Sequence, residues 1–208
     1  MELLLIRHAL PERREVDEGP ADPPLSAVGH RQAELMAEYL ASERLDAVYA
    51  SPLQRARQTA EPLARLQGLD IVIDDDVAES DRNASEYIPV EELKRNNDPR
   101  WQEILNGTAP GSTETPEEFS HRCVTAIERL IELNPSRRIA IVCHGGVINA
   151  YAAHVIGGHS AGVGFFYPNY TSIHRFVAAR SGERSLVTLN ETGFLRGTGL
   201  PMGLYQKG

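Results

Sequence analysis

The sequence predicts an α/β fold: a three-layer sandwich with a mainly parallel central sheet and helices on both faces. Short apolar runs of strand length alternate along the chain with longer segments whose apolar residues recur at helical spacing. Two runs, Leu3–Ile6 and Arg137–Cys143, are rich in aliphatic residues, which is typical of central strands covered on both faces. Strands that alternate with helices in this way favour a parallel sheet between helix layers.

Two shorter runs, Leu45–Ala50 and Leu69–Ile73, are further strand candidates. The first helix is predicted to begin after Ser26, a residue type that favours the N-cap. This segment carries apolar residues at helical spacing, namely Val28, Leu35, Met36, Tyr39 and Leu40.

The second helix is predicted to begin at Ser51-Pro52, a capping residue followed by proline at the first helical position. Pro62 is expected to kink it, because proline removes a backbone hydrogen bond and clashes with the preceding turn. One face of this helix is apolar and comprises Leu53, Ala56, Ala60 and Leu63.

Two more helices are predicted in the second half of the chain. Thr115-Pro116-Glu117-Glu118 is a capping box with proline in the first turn. A further helix is predicted from about Gly146 to Ile156 and ends at the glycine pair that follows. The capping-box helix is expected to bury five residues, Phe119, Cys123, Ile127, Leu130 and Ile131.

Two segments depart from this alternation of strands and helices. Residues 80–112 contain scattered asparagine, proline and glycine, which predicts an inserted and partly helical cap. Residues 191–208 are rich in glycine and are expected to be an irregular or mobile tail. The whole chain of 208 residues suits a single domain, because its length allows one core and no repeat divides it.

The charge and the cysteines limit the class of partner and the compartment. A formal net charge of −8 argues against a nucleic acid or an anionic membrane as the main partner. Cys123 and Cys143 lie in apolar patterns and are interpreted as two buried thiols, which fits a reducing compartment. No apolar stretch reaches membrane-spanning length. We therefore expect a cytoplasmic protein.

Two histidines follow strand-like runs directly or within one residue. His8 and His144 come after Leu3–Ile6 and Arg137–Cys143, and open parallel sheets bind ligands at the carboxyl ends of their strands. If both strands are central and neighbouring, the two imidazoles converge on one crevice. Each histidine taken alone is more often a structural residue, so the prediction depends on their combination.

Groups suited to phosphate surround both histidines in sequence. Arg7 precedes His8, and Gly145-Gly146 follow His144 and open a helix whose free N–H groups favour an anion. Arg55 lies in the first turns of the second helix, and arginine binds phosphate oxygens with two parallel hydrogen bonds. These residues predict a phosphate cradle, although Arg55 alone would be interpreted as a solvated helix residue.

A zinc site built on the histidines is an alternative to this cradle. The other five histidines are His30, His121, His154, His159 and His174, and no pair has the close spacing of zinc ligands. We therefore expect neither a metal nor another cofactor.

Four ordered motifs resemble the successive signatures of the histidine phosphatase superfamily, also called the phosphoglycerate mutase-like family. The resemblance spans roughly residues 3 to 156, and four motifs in order are far more specific than one. The motifs are Leu5–His8, Pro24–Ala33, Ser51–Ala60 and Val142–Gly146.

The resemblance implies a role for each site residue. His8 would be the nucleophile that accepts the phosphoryl group, and Arg7 and Arg55 would bind its oxygens. His144 would stabilise the charge in transfer, with Gly145 at the phosphate. The family's acidic residue, which protonates the leaving oxygen and then activates water, aligns best with Glu79.

Three departures from the family pattern bear on these assignments. Ala9 stands where glycine is common. Residues 80–87 replace the usual stretch after the acidic residue and leave Asp81 and Glu86 as rival proton donors. The extensions by which glycolytic mutases hold a bisphosphate are not recognisable, which favours a hydrolase.

The function that we predict is metal-independent hydrolysis of phosphate monoesters through a phosphohistidine. One alternative is a phosphomutase of the same family, in which a second substrate oxygen accepts the phosphoryl group. Another is a non-catalytic module that binds phosphorylated ligands. The expected partner is a small phosphorylated substrate, and sugar phosphates, phosphoglycolate-like acids, nucleotides and phosphoproteins all remain open.

Overall fold

The fold is described from a computed structural model that covers residues 1–105, 111–157 and 166–204. The strands are β1 Glu2–Arg7, β2 Arg14–Glu15, β3 Ala47–Ala50, β4 Ile71–Ile73, β5 Glu86–Tyr87, β6 Arg138–Cys143, β7 Ile173–Ala178 and β8 Arg184–Glu191. The α-helices are α1 Ala27–Leu40, α2 Gln54–Gln67, α3 Val90–Arg95, α4 Pro99–Leu105, α5 Pro116–Leu133 and α6 Gly145–Ile156.

Six strands form one sheet in the order β4-β3-β6-β1-β7-β8. The four strands predicted from apolar runs, β1, β3, β4 and β6, pair in parallel, and β7 and β8 add antiparallel pairs at one edge. The mainly parallel sheet is therefore confirmed. β1 and β6 are direct neighbours, with Arg7 opposite Cys143 at their carboxyl ends.

Helices cover both faces of the sheet because side chains of β1 and β6 alternate between two cores. Leu3 and Leu5 pack with α5 and α6, whereas Leu4 and Ile6 pack with α1 and α2. The predicted three layers are thus confirmed. The α5 and α6 core includes Cys123, Ile127, Leu130, Val147 and Tyr151, and the opposite core includes Met36, Leu40, Ala56, Ala60 and Leu63.

The antiparallel strands β7 and β8 were missed by the sequence analysis. β8 lies at the sheet edge, and residues 184–188 alternate between half-buried and exposed instead of forming an apolar run. Such alternation, with the Ser181-Gly182 turn before it, is the signal that could have identified this hairpin.

Helix starts and stops follow the predicted capping residues in three cases. Ser26 Oγ accepts a hydrogen bond from Gly29 N at 3.1 Å at the start of α1, and Thr115 forms the predicted capping box with Glu118. α6 ends at Gly157 in the left-handed conformation. The buried face of α1 differs from the expected one, because Tyr39 is 45% exposed.

The prediction that Ser51 caps the second helix is wrong. α2 begins at Gln54, and the Gln54 amide donates to the carboxylate of Asp22 at 2.8 and 3.1 Å. The capping group therefore comes from a distant segment, while Ser51 is fully buried. Pro62 lies inside α2, which continues to Gln67, and the kink stays a prediction.

Residues 80–105 contain β5, α3 and α4, and β5 pairs with β2 in a separate two-stranded sheet. Part of the predicted cap, residues 106–110, lies outside the described residues, and the cap insertion stays a prediction. Residues 192–204 contain one turn of 3-10 helix, Gly193–Leu195, and are anchored to the fold, since Leu195 and Met202 are buried and Tyr170 N donates to Met202 O at 2.8 Å. Residues 205–208 also lie outside the described range.

No helix within the three described ranges combines the length and apolar composition that crossing a bilayer requires.

Gly29 is required where α1 meets the loop after β1. A Cβ atom at this position would lie 2.1 Å from Leu10 O, which is a backbone atom and cannot swing away. We expect Gly29→Ala to lower the free energy of unfolding by about 1–3 kcal/mol, the usual cost of overpacking. Gly193→Ala is the matched control, because its Cβ would meet nothing within 4 Å. Denaturant titration of both variants tests this, and equal midpoints would contradict the overpacking argument.

Candidate active site

A cavity of about 440 Å³ opens beside the carboxyl ends of β1 and β6. All the sequence-predicted site residues except His144 line it, and His144 lies behind the cavity surface against the ring of His8. Those that line the cavity are Arg7, His8, Arg55, Glu79 and Gly145, and the rival acids Asp81 and Glu86 line it too.

His8 and His144 lie side by side, with ring centroids 5.1 Å apart. His8 is 3% exposed, and its Nδ1 lies 2.8 Å from Ala9 O. Because a carbonyl oxygen can only accept, Nδ1 carries the ring proton and Nε2 keeps its lone pair. Burial, with Arg55 and Arg7 nearby, lowers the pKa of His8 well below its usual value and favours the neutral ring.

His144 is fully buried at the end of β6 and precedes the first turn of α6. Its Nε2 lies 2.7 Å from Ser51 Oγ, so the residue expected to cap α2 instead fixes this imidazole. Its Nδ1 has no hydrogen-bond partner among the described residues. Burial, then Arg55 and His8, lower the pKa of His144 well below its usual value.

Arg7 is held by the segment before β7. Its Nη1 donates to Pro168 O at 2.6 Å, and its Cζ lies 4.2 Å from the centroid of the Tyr170 ring and 5.1 Å from that of Tyr167. The Nε of Arg7 is buried and has no hydrogen-bond partner within the described chain. A buried donor without a partner favours an anion beside it.

Arg55 is 1% exposed, so the solvated-helix interpretation of this residue is wrong. Its Nη2 donates to Asp81 Oδ1 at 2.7 Å, and its Cζ lies 4.7 Å from the centroid of the Tyr87 ring. As with Arg7, Nε is buried with no partner in the described ranges. Two guanidinium groups with unused donors thus meet at one end of the cavity.

The first turn of α6 brings Glu79 to the site. Gly146 N donates to Glu79 Oε2 at 2.8 Å, and Ser80 N lies 3.1 Å from Oε1. A Cβ at Gly146 would approach Glu79 Oε1 to 2.4 Å, so the absence of a side chain lets the carboxyl reach the helix. Burial, then the negative charge of Asp81, raise the pKa of Glu79. A raised pKa suits a group that must hold a proton near neutral pH.

The rival acids are both engaged by arginine. Asp81 binds Arg55, and Glu86 Oε1 binds Arg100 Nη1 at 2.6 Å. Each carboxylate therefore has an oxygen committed to a guanidinium group, whereas Glu79 accepts hydrogen bonds from the backbone amides of Ser80 and Gly146. This difference favours Glu79 as the proton donor.

Sequence reasoning missed a group of three residues that supports Arg7. The hydroxyl groups of Tyr167 and Tyr170 donate to Glu91 Oε1 and Oε2 at 2.5 and 3.0 Å. Glu91 belongs to α3, so the segment predicted to be a cap contacts the residues that stack on Arg7. The only signal in the sequence is the pair of tyrosines around Pro168, and no known spacing connects them to Glu91.

No group of three or more histidine, cysteine, aspartate or glutamate side chains within residues 1–105, 111–157 and 166–204 is arranged to hold a metal ion. Among the described residues that line the cavity, the positive charge comes from arginine.

Comparison with known proteins connects this site to a family. The family model described as histidine phosphatase superfamily (branch 1) matches residues 3–192. An uncharacterized phosphatase PhoE of Bacillus subtilis is 33% identical over 141 residues, which cover 68% of this chain and 69% of that protein. A probable phosphoglycerate mutase GpmB of Yersinia enterocolitica is 29% identical and covers 76% of this chain and 75% of its own length.

Among solved structures, a phosphoserine phosphatase variant of Entamoeba histolytica in complex with phosphoserine has the same fold. It superposes with a TM-score of 0.74 at 24% identity and covers 93% of this chain and 98% of its own.

The contacts of Glu91 predict that it positions Arg7 through the two tyrosines. Glu91→Gln removes the charge and one of the two acceptors, so we expect kcat/KM for a phosphate ester to fall roughly tenfold, the scale of one charge-assisted hydrogen bond. The affinity for vanadate should fall in parallel, because vanadate binds as a phosphate mimic.

Glu92→Gln is the control, because Glu92 neighbours Glu91 on α3 but pairs with Arg13. It should keep wild-type kinetics. Equal losses of kcat/KM in both variants would refute the positioning role. A loss of kcat/KM in Glu91→Gln that is fully explained by a lower free energy of unfolding would refute it too.

Proposed function

Because the chain belongs to the histidine phosphatase superfamily (branch 1), we propose that it hydrolyses phosphate monoesters through a phosphohistidine on His8. One observation carries the proposal. The bond from His8 Nδ1 to Ala9 O leaves Nε2 with its lone pair, in a neutral ring close to two arginines with unused donors. A neutral imidazole among fixed positive groups is suited to attack a phosphate dianion.

The first step forms the phosphoenzyme. Nε2 of His8 attacks phosphorus, the bond from phosphorus to the ester oxygen breaks, and Glu79 gives its proton to the departing alcohol. The raised pKa of Glu79 supports this role, because it extends the protonated form to higher pH.

The second step returns the enzyme to its starting state. Water attacks the phosphohistidine, the ionised Glu79 takes a proton from that water, and the bond between phosphorus and nitrogen breaks. Inorganic phosphate leaves, His8 is again neutral, and Glu79 is again protonated. One carboxyl group thus acts as acid and then as base.

The cradle stabilises the charge that moves during both steps. Arg7 and Arg55 offer guanidinium donors, and the backbone at Gly145 opens a helix whose positive end favours anions. His144 contributes as a neutral hydrogen-bonding group, with Ser51 fixing its Nε2. These groups act without a metal, and we propose metal-independent catalysis on a small phosphorylated substrate.

We also propose a cytoplasmic location and no nucleic-acid or membrane partner. Cys123 and Cys143 are free and buried, which is consistent with a reducing compartment. The acidic net charge supports the exclusion of polyanionic partners.

A nucleophilic role for His8 predicts that His8→Ala abolishes turnover and also the acid-labile, base-stable phosphoenzyme. His8 is the only histidine among the described residues that line the cavity, so no neighbouring imidazole can replace the attacking nitrogen. Rapid quench with a labelled ester measures both quantities. His30→Ala is the matched control, because His30 is exposed on α1. Labelling that survives in His8→Ala would disprove the assignment.

The product distinguishes hydrolysis from the mutase alternative. With 3-phosphoglycerate and a bisphosphate primer, wild-type enzyme that forms 2-phosphoglycerate would be a mutase. Inorganic phosphate, with or without primer, supports the hydrolase. A chain that binds esters but releases no phosphate from any of them would be the non-catalytic module.

The acid role of Glu79 predicts a loss that depends on the leaving group. An alkoxide needs a proton to depart, whereas a nitrophenolate leaves largely unaided. Glu79→Gln should therefore slow the phosphorylation step by roughly 10²–10⁴-fold for an alkyl phosphate and far less for p-nitrophenyl phosphate. Single-turnover release of the first product is the measurement.

Asp81→Asn and Glu86→Gln are the comparisons for this experiment. Both carboxylates bind arginine, and neither variant should show the selective loss. If Glu79→Gln slows the phosphorylation step equally for both esters, Glu79 is not the acid.

A further inference from the structure

The cavity wall beyond the cradle is largely apolar. Its residues come from the segment after β5, from α3 and α4, from the first turn of α5 and from the segment before β7. A phosphate group occupies only part of about 440 Å³, so the remainder of the cavity is available to the alcohol part of a substrate. The apolar side chains of this wall include Ile88, Val90, Leu93, Ile104, Phe119 and Phe166.

Positive charge beyond the cradle is already neutralised. Among the described residues, three cationic side chains line the cavity, and two of them, Arg7 and Arg55, belong to the cradle. The third is Arg100. Its Nε and Nη2 bind the two carboxylate oxygens of Asp98 at 2.8 and 2.6 Å, and its Nη1 binds Glu86 at 2.6 Å.

Carboxyl groups line the same cavity, namely Glu79, Asp81, Glu86 and Glu114. Three of them, Asp81, Glu86 and Glu114, are already paired with arginine. A second anionic group on a substrate would therefore lose water, approach these carboxyl groups and find no uncommitted cation among the described residues of the wall. Burying a charge without a partner is strongly unfavourable, whereas an alkyl or aryl group gains by leaving water.

We propose that this site selects phosphate monoesters of apolar, uncharged alcohols and discriminates against substrates with a carboxylate or a second phosphate. The proposal rests on the proposed phosphatase activity and names its substrate class. It also separates the chain from a phosphoglycerate mutase, since every phosphoglycerate carries a carboxylate.

The test compares esters that differ in one property. Hexyl phosphate and 6-(phosphonooxy)hexanoate have the same chain and leaving oxygens of similar basicity, but only the second carries a carboxylate. We expect kcat/KM to be roughly tenfold or more higher for hexyl phosphate than for 6-(phosphonooxy)hexanoate. It should also be higher for hexyl than for ethyl phosphate by a similar factor, because the longer chain buries more apolar surface. Phosphoserine and 3-phosphoglycerate should rank with the carboxylate ester.

A cation added to the wall should reverse the charge preference. Ile88→Arg is expected to raise kcat/KM for the carboxylate ester relative to hexyl phosphate by roughly fivefold or more, the scale of one close opposite-charge pair. Val187→Arg is the matched control, because Val187 is an exposed residue of β8 outside the cavity. In Val187→Arg the ratio of kcat/KM for the two esters should equal that of the wild type. Turnover of p-nitrophenyl phosphate shows that each variant is folded.

The outcomes separate this inference from the phosphatase proposal. Wild-type enzyme that hydrolyses both esters equally, or prefers the carboxylate ester, would overturn the substrate class and leave the phosphatase proposal intact. A preference for hexyl phosphate that Ile88→Arg leaves unchanged would overturn the assignment of selectivity to this wall. No phosphate release from any ester, including p-nitrophenyl phosphate, would instead refute the phosphatase proposal.

Discussion

The parallel pairing of β1 with β6 is the constraint on which the site depends. Its register sets Arg7 opposite Cys143, so the residues that follow, His8 and His144, emerge at the same edge of the sheet. A shift of one residue would turn the side chains of β1 to the opposite faces and exchange the two cores. The cores that flank these strands therefore fix the distance between the imidazoles as well as the stability of the sheet.

Burial gives each charged or titratable group its chemical character. The same low-polarity environment keeps His8 and His144 neutral and favours the protonated form of Glu79. Guanidinium groups stay charged under these conditions, because arginine does not lose its proton in proteins. Burial thus favours neutral imidazoles and the protonated form of Glu79, whereas the arginines stay charged in spite of it.

The sequence was sufficient for the parallel strands and for the helices with local capping signals, because those features depend on residues close together in the chain. It was insufficient where distant segments meet. The cap of α2 comes from Asp22, the partner of His144 is Ser51, and Glu91 supports Arg7 through two tyrosines. β7 and β8 were missed because their sequences, IHRFVA and RSLVTLNE, mix polar with apolar residues and form no continuous apolar run.

The ion pair between Arg55 and Asp81 has a consequence for release of product. An oxyanion that enters the cradle must share this guanidinium with a carboxylate or displace it. Asp81 is therefore an internal competitor for any anion that binds Arg55. In the proposed reaction, inorganic phosphate would lack the contacts that the alcohol part of a substrate makes with the apolar wall, so this competition would help the product to leave.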